Sequence, residues 1–228
     1  MNRTKELTDS LSEVNQRINI AATKASRAVD EITLITVTKT FPTSDIEILY
    51  QLGLRDFGEN RDQEASKKVT NLPKDIRWHF QGQIQSNKLK SITSWASCIH
   101  SVDQLRYAQL ISQLIGDAKM PIFIQVSLDN TSENRAGVEP DELIKMATQV
   151  SELPGISLQG LMAVAPLDMA AELAFANLAK IREVFLTSFP AAKSLSIGMS
   201  GDYETAIEYG ATHIRIGSSI LGNRASIA

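Results

Sequence analysis

Apolar residues recur along this chain with two different periods. Near the start, Leu7, Leu11, Val14, Ile18 and Ala22 fall three or four residues apart, which is the spacing of one helical stripe. After Asp30 the pattern shortens. Apolar runs appear near 32–39, 55–59, 77–81, 98–102, 121–128, 157–164, 194–199 and 212–217. Stretches of helical character lie between them, at 43–53, 61–71, 103–115, 140–151, 168–188 and 202–209. Eight strands alternating with helices predict an α/β fold, a (β/α)8 barrel with an extra N-terminal helix. A doubly wound open sheet is the structural competitor, and the count of eight favours the barrel.

Composition narrows the picture without redrawing it. The 228 residues contain no low-complexity segment, no long linker and no compositional shift, so 1–228 reads as one domain. A formal net charge of -3 leaves no basic footprint for nucleic acid. The pair Lys67-Lys68 reads as solvated helix face. One cysteine, Cys98, excludes an intrachain disulfide and reads as a small buried hydrophobe. The polar start "MNRTKELTDSLSEVNQR" lacks the apolar centre of a signal peptide, and no apolar run is long enough for a membrane span. The expected compartment is the cytoplasm.

Chemistry concentrates at the strand ends, which read Lys39, Glu59-Asn60, His79, Asp103, Met162, Ser200 and then Arg215 with Gly217-Ser218. In a barrel the C-terminal rim gathers such ends over one mouth. Lys39 closes "ITLITVTK"; partial desolvation there would favour a neutral, nucleophilic amine, although position alone fits a lysine snorkelling into solvent better. Two small-residue segments, "GMSGD" and "GSS", fall after strands seven and eight, where barrels often hold phosphate. Asp202 reads as the N-cap of the intervening helix, and the same glycines could equally serve turns only. Arg215 shares a strand face with Gly217 and needs a partner, either a rim carboxylate such as Glu59 or an acceptor on a bound ring. The three histidines lack a metal-ligand pattern, and Trp78 and Phe80 read as packing residues.

An amine, a phosphate cradle and an arginine across one mouth describe a pyridoxal 5'-phosphate site. Lys39 would bind the aldehyde, and Ser200 with Gly217 and Ser218 the phosphate. Arg215 would face the pyridine nitrogen and keep it unprotonated, which makes the ring a poorer electron sink. The segments "LITVTKTFP", "RDFGENRDQEASKK", "WHFQGQIQSNK", "IHSVD", "GLMAVAP", "LSIGMSGDYETAI" and "HIRIGSSILGNR" carry a resemblance over almost the whole chain. The sequence resembles the pyridoxal 5'-phosphate homeostasis proteins, single-domain relatives of the alanine racemase N-terminal barrel. That resemblance implies cofactor contacts at Lys39, Ser200, Arg215, Gly217 and Ser218, and adds Asn60 of "FGEN" as a site-lining residue. Two positions depart from the family pattern: Arg61-Asp62 replaces a frequent aromatic after "FGEN", and Gln81 stands where an aliphatic residue is common.

The expected function is therefore storage, buffering or delivery of pyridoxal phosphate, with apo forms of enzymes that use it as acceptors. A cofactor-dependent racemase or decarboxylase of low activity is the alternative, and a phosphate-binding aldolase a weaker one. Racemases of this barrel type carry a second, all-β domain that supplies a tyrosine acid/base; this chain ends at Ala228, soon after its last strand. Tyr50, Tyr107 and Tyr209 fall in helical stretches, and Tyr203 lies in the loop after strand seven. None is placed as a second-face base. Without a second domain to dimerise through, the expectation is a monomer.

Overall fold

A computed structural model describes residues 2–128 and 136–222. Helix α1 (Arg3–Lys24) precedes eight strands: β1 (Thr33–Val37), β2 (Asp56–Glu59), β3 (Arg77–Phe80), β4 (Cys98–Val102), β5 (Met120–Gln125), β6 (Ile156–Met162), β7 (Ser194–Ser196) and β8 (His213–Ile216). They pair in parallel, in sequence order, as a closed barrel. The seam between β1 and β8 runs from Thr33 opposite His213 to Thr36 opposite Ile216. The barrel expectation holds, and the open sheet is excluded.

Helices follow the strands: α2 (Thr43–Gln51), α3 (Asp62–Val69), α4 (Leu89–Trp95), α5 (Leu105–Ile115), α6 (Pro140–Ser151), α7 (Ala171–Ser188), α8 (Tyr203–Glu208) and α9 (Ser218–Leu221). Two short helices, α4 and α9, fall outside the helical stretches read from the pattern, and α4 is the longer. Its seven residues bury only Leu89, Ile92 and Trp95, too short a stripe to register as a period. Trp78 and Phe80 do pack outward, Phe80 against Trp95 of α4 with ring centroids 6.0 Å apart. The alternate residue, His79, points into the barrel instead.

The extra helix covers the seam. The buried face of α1 holds Leu7, Leu11, Val14, Ile18 and Ala22, the whole stripe read from the sequence, and it packs on α2, α8 and α9. Ion pairs fix its ends: Arg3 to Asp45 of α2 at 2.6 Å, and Arg17 to Glu204 of α8 at 2.6 Å. Apolar burial supplies most of the stability of this contact, and the Arg17–Glu204 pair, exposed on both sides, contributes little. Leu7 is fully buried. Leu7→Ala is therefore expected to lower stability by about 2–5 kcal/mol, read as a drop in the urea unfolding midpoint at unchanged slope.

Candidate functional site

The β1 strand stops at Val37, and a tight turn follows. The Thr38 carbonyl accepts a hydrogen bond from the Phe41 N–H at 3.1 Å, which places Lys39 second and Thr40 third in a four-residue turn. Thr40 has φ +71°, the value a type II turn demands at its third residue. Lys39 is half-buried and lines a cavity of about 640 Å3 at the C-terminal mouth. Asn60, Ser200, Arg215, Gly217 and Ser218 line the same cavity, so the six expected cofactor contacts share it, whereas Glu59, His79 and Asp103 do not line it. Phe41, Gln81, Met162 and Met199 complete much of the wall. Of these, Phe41 and Met199 carry no sequence signal, since apolar residues after strand ends look like ordinary core.

Close backbone packing sets the position of Asn60. A Cβ on Gly82 would fall 1.9 Å from the Asn60 carbonyl oxygen, so only glycine lets the loop after β3 press against the loop after β2. At the opposite wall, the Ser200 hydroxyl accepts from the Gly217 N–H at 3.3 Å and the Ser219 N–H at 3.4 Å. Two backbone donors thus converge on one oxygen position, the arrangement an anion requires. The four residues of α9 add little dipole to it. Asp202 does not cap α8 through its side chain; its carboxylate accepts from the Met199 N–H at 2.6 Å and ties the loop instead. Gly198, at φ +89° and with a would-be Cβ 2.6 Å from the Ala206 Cβ, serves that turn.

Arg215 is 4 % exposed and does not pair with Glu59, which bonds Lys68 at 2.7 Å. Its guanidinium donates to the Ser196 Oγ at 2.7 Å and to the Ala163 carbonyl at 3.0 Å. Burial lowers its pKa to about 10, so it stays cationic at neutral pH. A chain of hydrogen bonds continues inward. Ser196 Oγ meets His100 Nδ1 at 2.8 Å, His100 Nε2 meets His79 Nδ1 at 2.8 Å, and His79 Nε2 meets Asp56 Oδ1 at 3.0 Å. With the Ser196 hydroxyl oxygen accepting from Arg215, its proton goes to His100 Nδ1, so His100 donates from Nε2 and His79 from Nε2 to the carboxylate. Two neutral imidazoles satisfy every step. Burial pushes His100 well below the ordinary histidine range, and the His79 and Arg77 bonds hold Asp56 down to about 2 against the opposing effect of burial.

Ligand atoms of His79, Cys98 and His100 lie within 4.8 Å of one another. The facing ring nitrogens already bond each other, and burial pushes the Cys98 thiol well up. The geometry is that of a neutral packed cluster. Lys68 departs from its expected place: it is buried, not solvated. Tyr203 is 1 % exposed beneath Arg17, whose guanidinium carbon stands 5.2 Å from the ring centroid, and it does not line the cavity.

The donor set fits pyridoxal phosphate. Backbone N–H groups and serine hydroxyls suit its phosphate, a fixed guanidinium suits an acceptor ring nitrogen, and a lysine amine suits an aldehyde. Buried polar atoms agree: both amide atoms of Gln81 and the Asn60 Oδ1 have no protein partner, although both residues line the cavity. A polar ligand is what such orphans call for.

Burial also lowers the His213 pKa to about 4 from 6.5, and it lowers that of His100 too. Both rings bind a proton less readily folded than unfolded. Their contribution to stability is therefore complete above about pH 6.5 and lost as the pH falls toward 4. The denaturant midpoint should drop between pH 7 and pH 5, and drop less in His213→Gln; equal drops would show that His213 does not carry this linkage.

Comparison with known proteins places the fold and the family. The model of the alanine racemase N-terminal domain matches residues 10–225. A pyridoxal phosphate homeostasis protein of Mycobacterium bovis is 37% identical over 97% of this chain and 94% of its own. Among solved structures, an unknown protein from Bifidobacterium adolescentis has a TM-score of 0.89 at 30% identity, covering 96% of this chain and 95% of its own. PipY of Synechococcus elongatus, solved with PLP bound, has a TM-score of 0.79 at 33% identity, covering 92% and 100%. With its closed barrel, its lysine turn and these relatives along nearly its whole length, the chain belongs to the pyridoxal phosphate homeostasis proteins of the alanine racemase N-terminal domain family.

Proposed function

We propose that this protein binds pyridoxal phosphate through Lys39 and holds it in reversible store for apo enzymes, as a cytoplasmic monomer without enzymatic turnover. One observation carries the reading. Among the described residues that line the cavity, Lys39 and Arg215 are the only ionisable side chains. Bound there, the cofactor would supply an aldehyde, and Lys39 is the residue that would hold it. The chain's own groups do the rest. Ser200, Ser218 and the N–H of Gly217 would take the phosphate, and Asn60 would line the site. Arg215, fixed by Ser196 and Ala163, would offer N–H donors to the ring nitrogen and has no proton to give up to it.

That arrangement retains a cofactor better than it drives carbanion chemistry. Racemisation needs proton-transfer groups on both faces of the ring, and no tyrosine, histidine or carboxylate among the described residues lines this cavity. The solved PipY structure, with PLP bound, supports the same ligand in a relative. No helix among the described residues is long and apolar enough to cross a membrane.

Borohydride reduction of the loaded protein, followed by peptide mapping, is expected to place the adduct on Lys39 and to find none in Lys39→Ala. An adduct elsewhere would overturn the anchor. In deuterated water the loaded protein should leave the α-hydrogen of alanine unexchanged; steady exchange would establish an enzyme instead. Ser196→Ala, which leaves Arg215 in place but removes its hydroxyl partner, should weaken cofactor retention about 2- to 10-fold in equilibrium dialysis.

A further inference from the structure

The turn that carries Lys39 is held from behind by charged groups that never reach the cavity. Thr40 is a β-branched residue at φ +71°, a conformation such residues rarely adopt, so the turn is strained as it stands. Its N–H donates to the Glu64 Oε1 at 2.5 Å, across from α3. The same carboxylate oxygen accepts from Lys68 Nζ at 2.6 Å. Lys68, one turn further along α3, also donates to the Thr38 carbonyl at 2.7 Å and to the Glu59 Oε1 at 2.7 Å. Glu59, at the end of β2, accepts in turn from the Thr38 hydroxyl at 2.6 Å. All three protons of the ammonium are thereby used, on groups that tie down the residues flanking Lys39.

Burial makes this arrangement stiff. The Glu59 side chain is wholly buried, that of Lys68 is 8% exposed and that of Glu64 25%. A buried pair of this kind adds little net stability, because desolvation offsets the attraction, but its geometry is strongly specified. None of the three side chains lines the cavity.

We propose that Glu59, Lys68 and Glu64 form a clamp that positions the Lys39 turn for capture of the aldehyde. They are positioning residues: they fix Thr38 and Thr40, and through them the direction in which the lysine leaves the backbone. The inference rests on Lys39 as the anchor, and its effect falls on covalent capture rather than on recognition of phosphate and ring. Glu64 offers the cleanest test, since it is the most exposed member and its loss is the least disruptive to the fold.

Three versions of the protein decide the matter: wild type, Glu64→Leu, and Glu64→Gln, which keeps an acceptor for the Thr40 N–H. Pyridoxal phosphate is added, and the rate of borohydride-fixed adduct on Lys39 is followed. Affinity for pyridoxine 5'-phosphate, which has the ring and phosphate but no aldehyde, is measured in parallel. Glu64→Leu should slow capture about tenfold while analogue affinity changes less than about twofold, and Glu64→Gln should capture at close to the wild-type rate. Equal capture rates in wild type and Glu64→Leu would overturn the clamp, as would a loss of analogue affinity as large as the loss of capture. Hydrogen exchange of the Thr40 amide in the ligand-free protein tests the clamp without any cofactor. Faster exchange in Glu64→Leu supports the clamp, and unchanged exchange sinks it. If wild type traps nothing on Lys39, the anchor reading fails, and the amide exchange alone then judges the clamp.

Discussion

Closure of the barrel between β1 and β8 is the constraint on which the site depends. That seam fixes Thr36 opposite Ile216, so the residues just beyond each strand emerge side by side. Lys39 follows β1 by two residues, and Gly217 and Ser219, whose N–H groups converge on the Ser200 hydroxyl, follow β8 closely. An amine and a pair of backbone donors, about 180 residues apart in sequence, thereby share one rim. The seam is also where the barrel could open, and α1 lies over it with a stripe of five apolar residues. The extra helix before the barrel is thus part of how the site is held, through packing rather than through any contact with the cavity.

A second consequence of the barrel is that its interior must absorb the charge of Arg215. Among the described residues no carboxylate bonds it directly. Ser196 and a carbonyl accept its hydrogen bonds, and the polar chain runs through His100 and His79 to Asp56. Such a network tolerates a cation because two of the guanidinium's N–H groups find neutral acceptors, which leaves the others for a ligand. It also orients the guanidinium along one direction, toward the mouth. A carboxylate partner, like Glu59 in the expected ion pair, would have drawn the arginine sideways; Lys68 occupies that carboxylate instead.

The fold was legible because both periods were strong. Five positions announced α1, and β-branched runs announced the strands. That six candidate residues would meet at one cavity was legible for a related reason: charged and small residues at the ends of apolar strands have few structural explanations. What the sequence could not convey is partnership across the barrel. Ser196 is an unremarked serine inside "LSIGMS" until the closed sheet brings Arg215 and His100 to it. Lys68 sits beside Lys67 and looks equally solvated, yet it is buried, because helical geometry turns adjacent residues by 100° and carries it to the face that meets β1 and β2. Short elements were lost for want of periods, α4 above all.

Two kinds of charge therefore coexist at this mouth, and they divide the work. Arg215 faces the cavity and is supported by neutral groups, which leaves its donors available to a ligand. Lys68 faces away from it and is fully engaged by carboxylates and a carbonyl, which leaves it nothing to offer except rigidity. Burial costs free energy in both cases, and neither arrangement is what packing alone would select. A purely structural barrel would fill these positions with aliphatic residues. The unpartnered amides of Gln81 and Asn60 fall in the same class: they are polar groups kept where apolar ones would be more stable. These costs gather around one turn and one cavity. The simplest physical account is that the rim is built for a polar ligand whose own donors and acceptors complete what the protein leaves open.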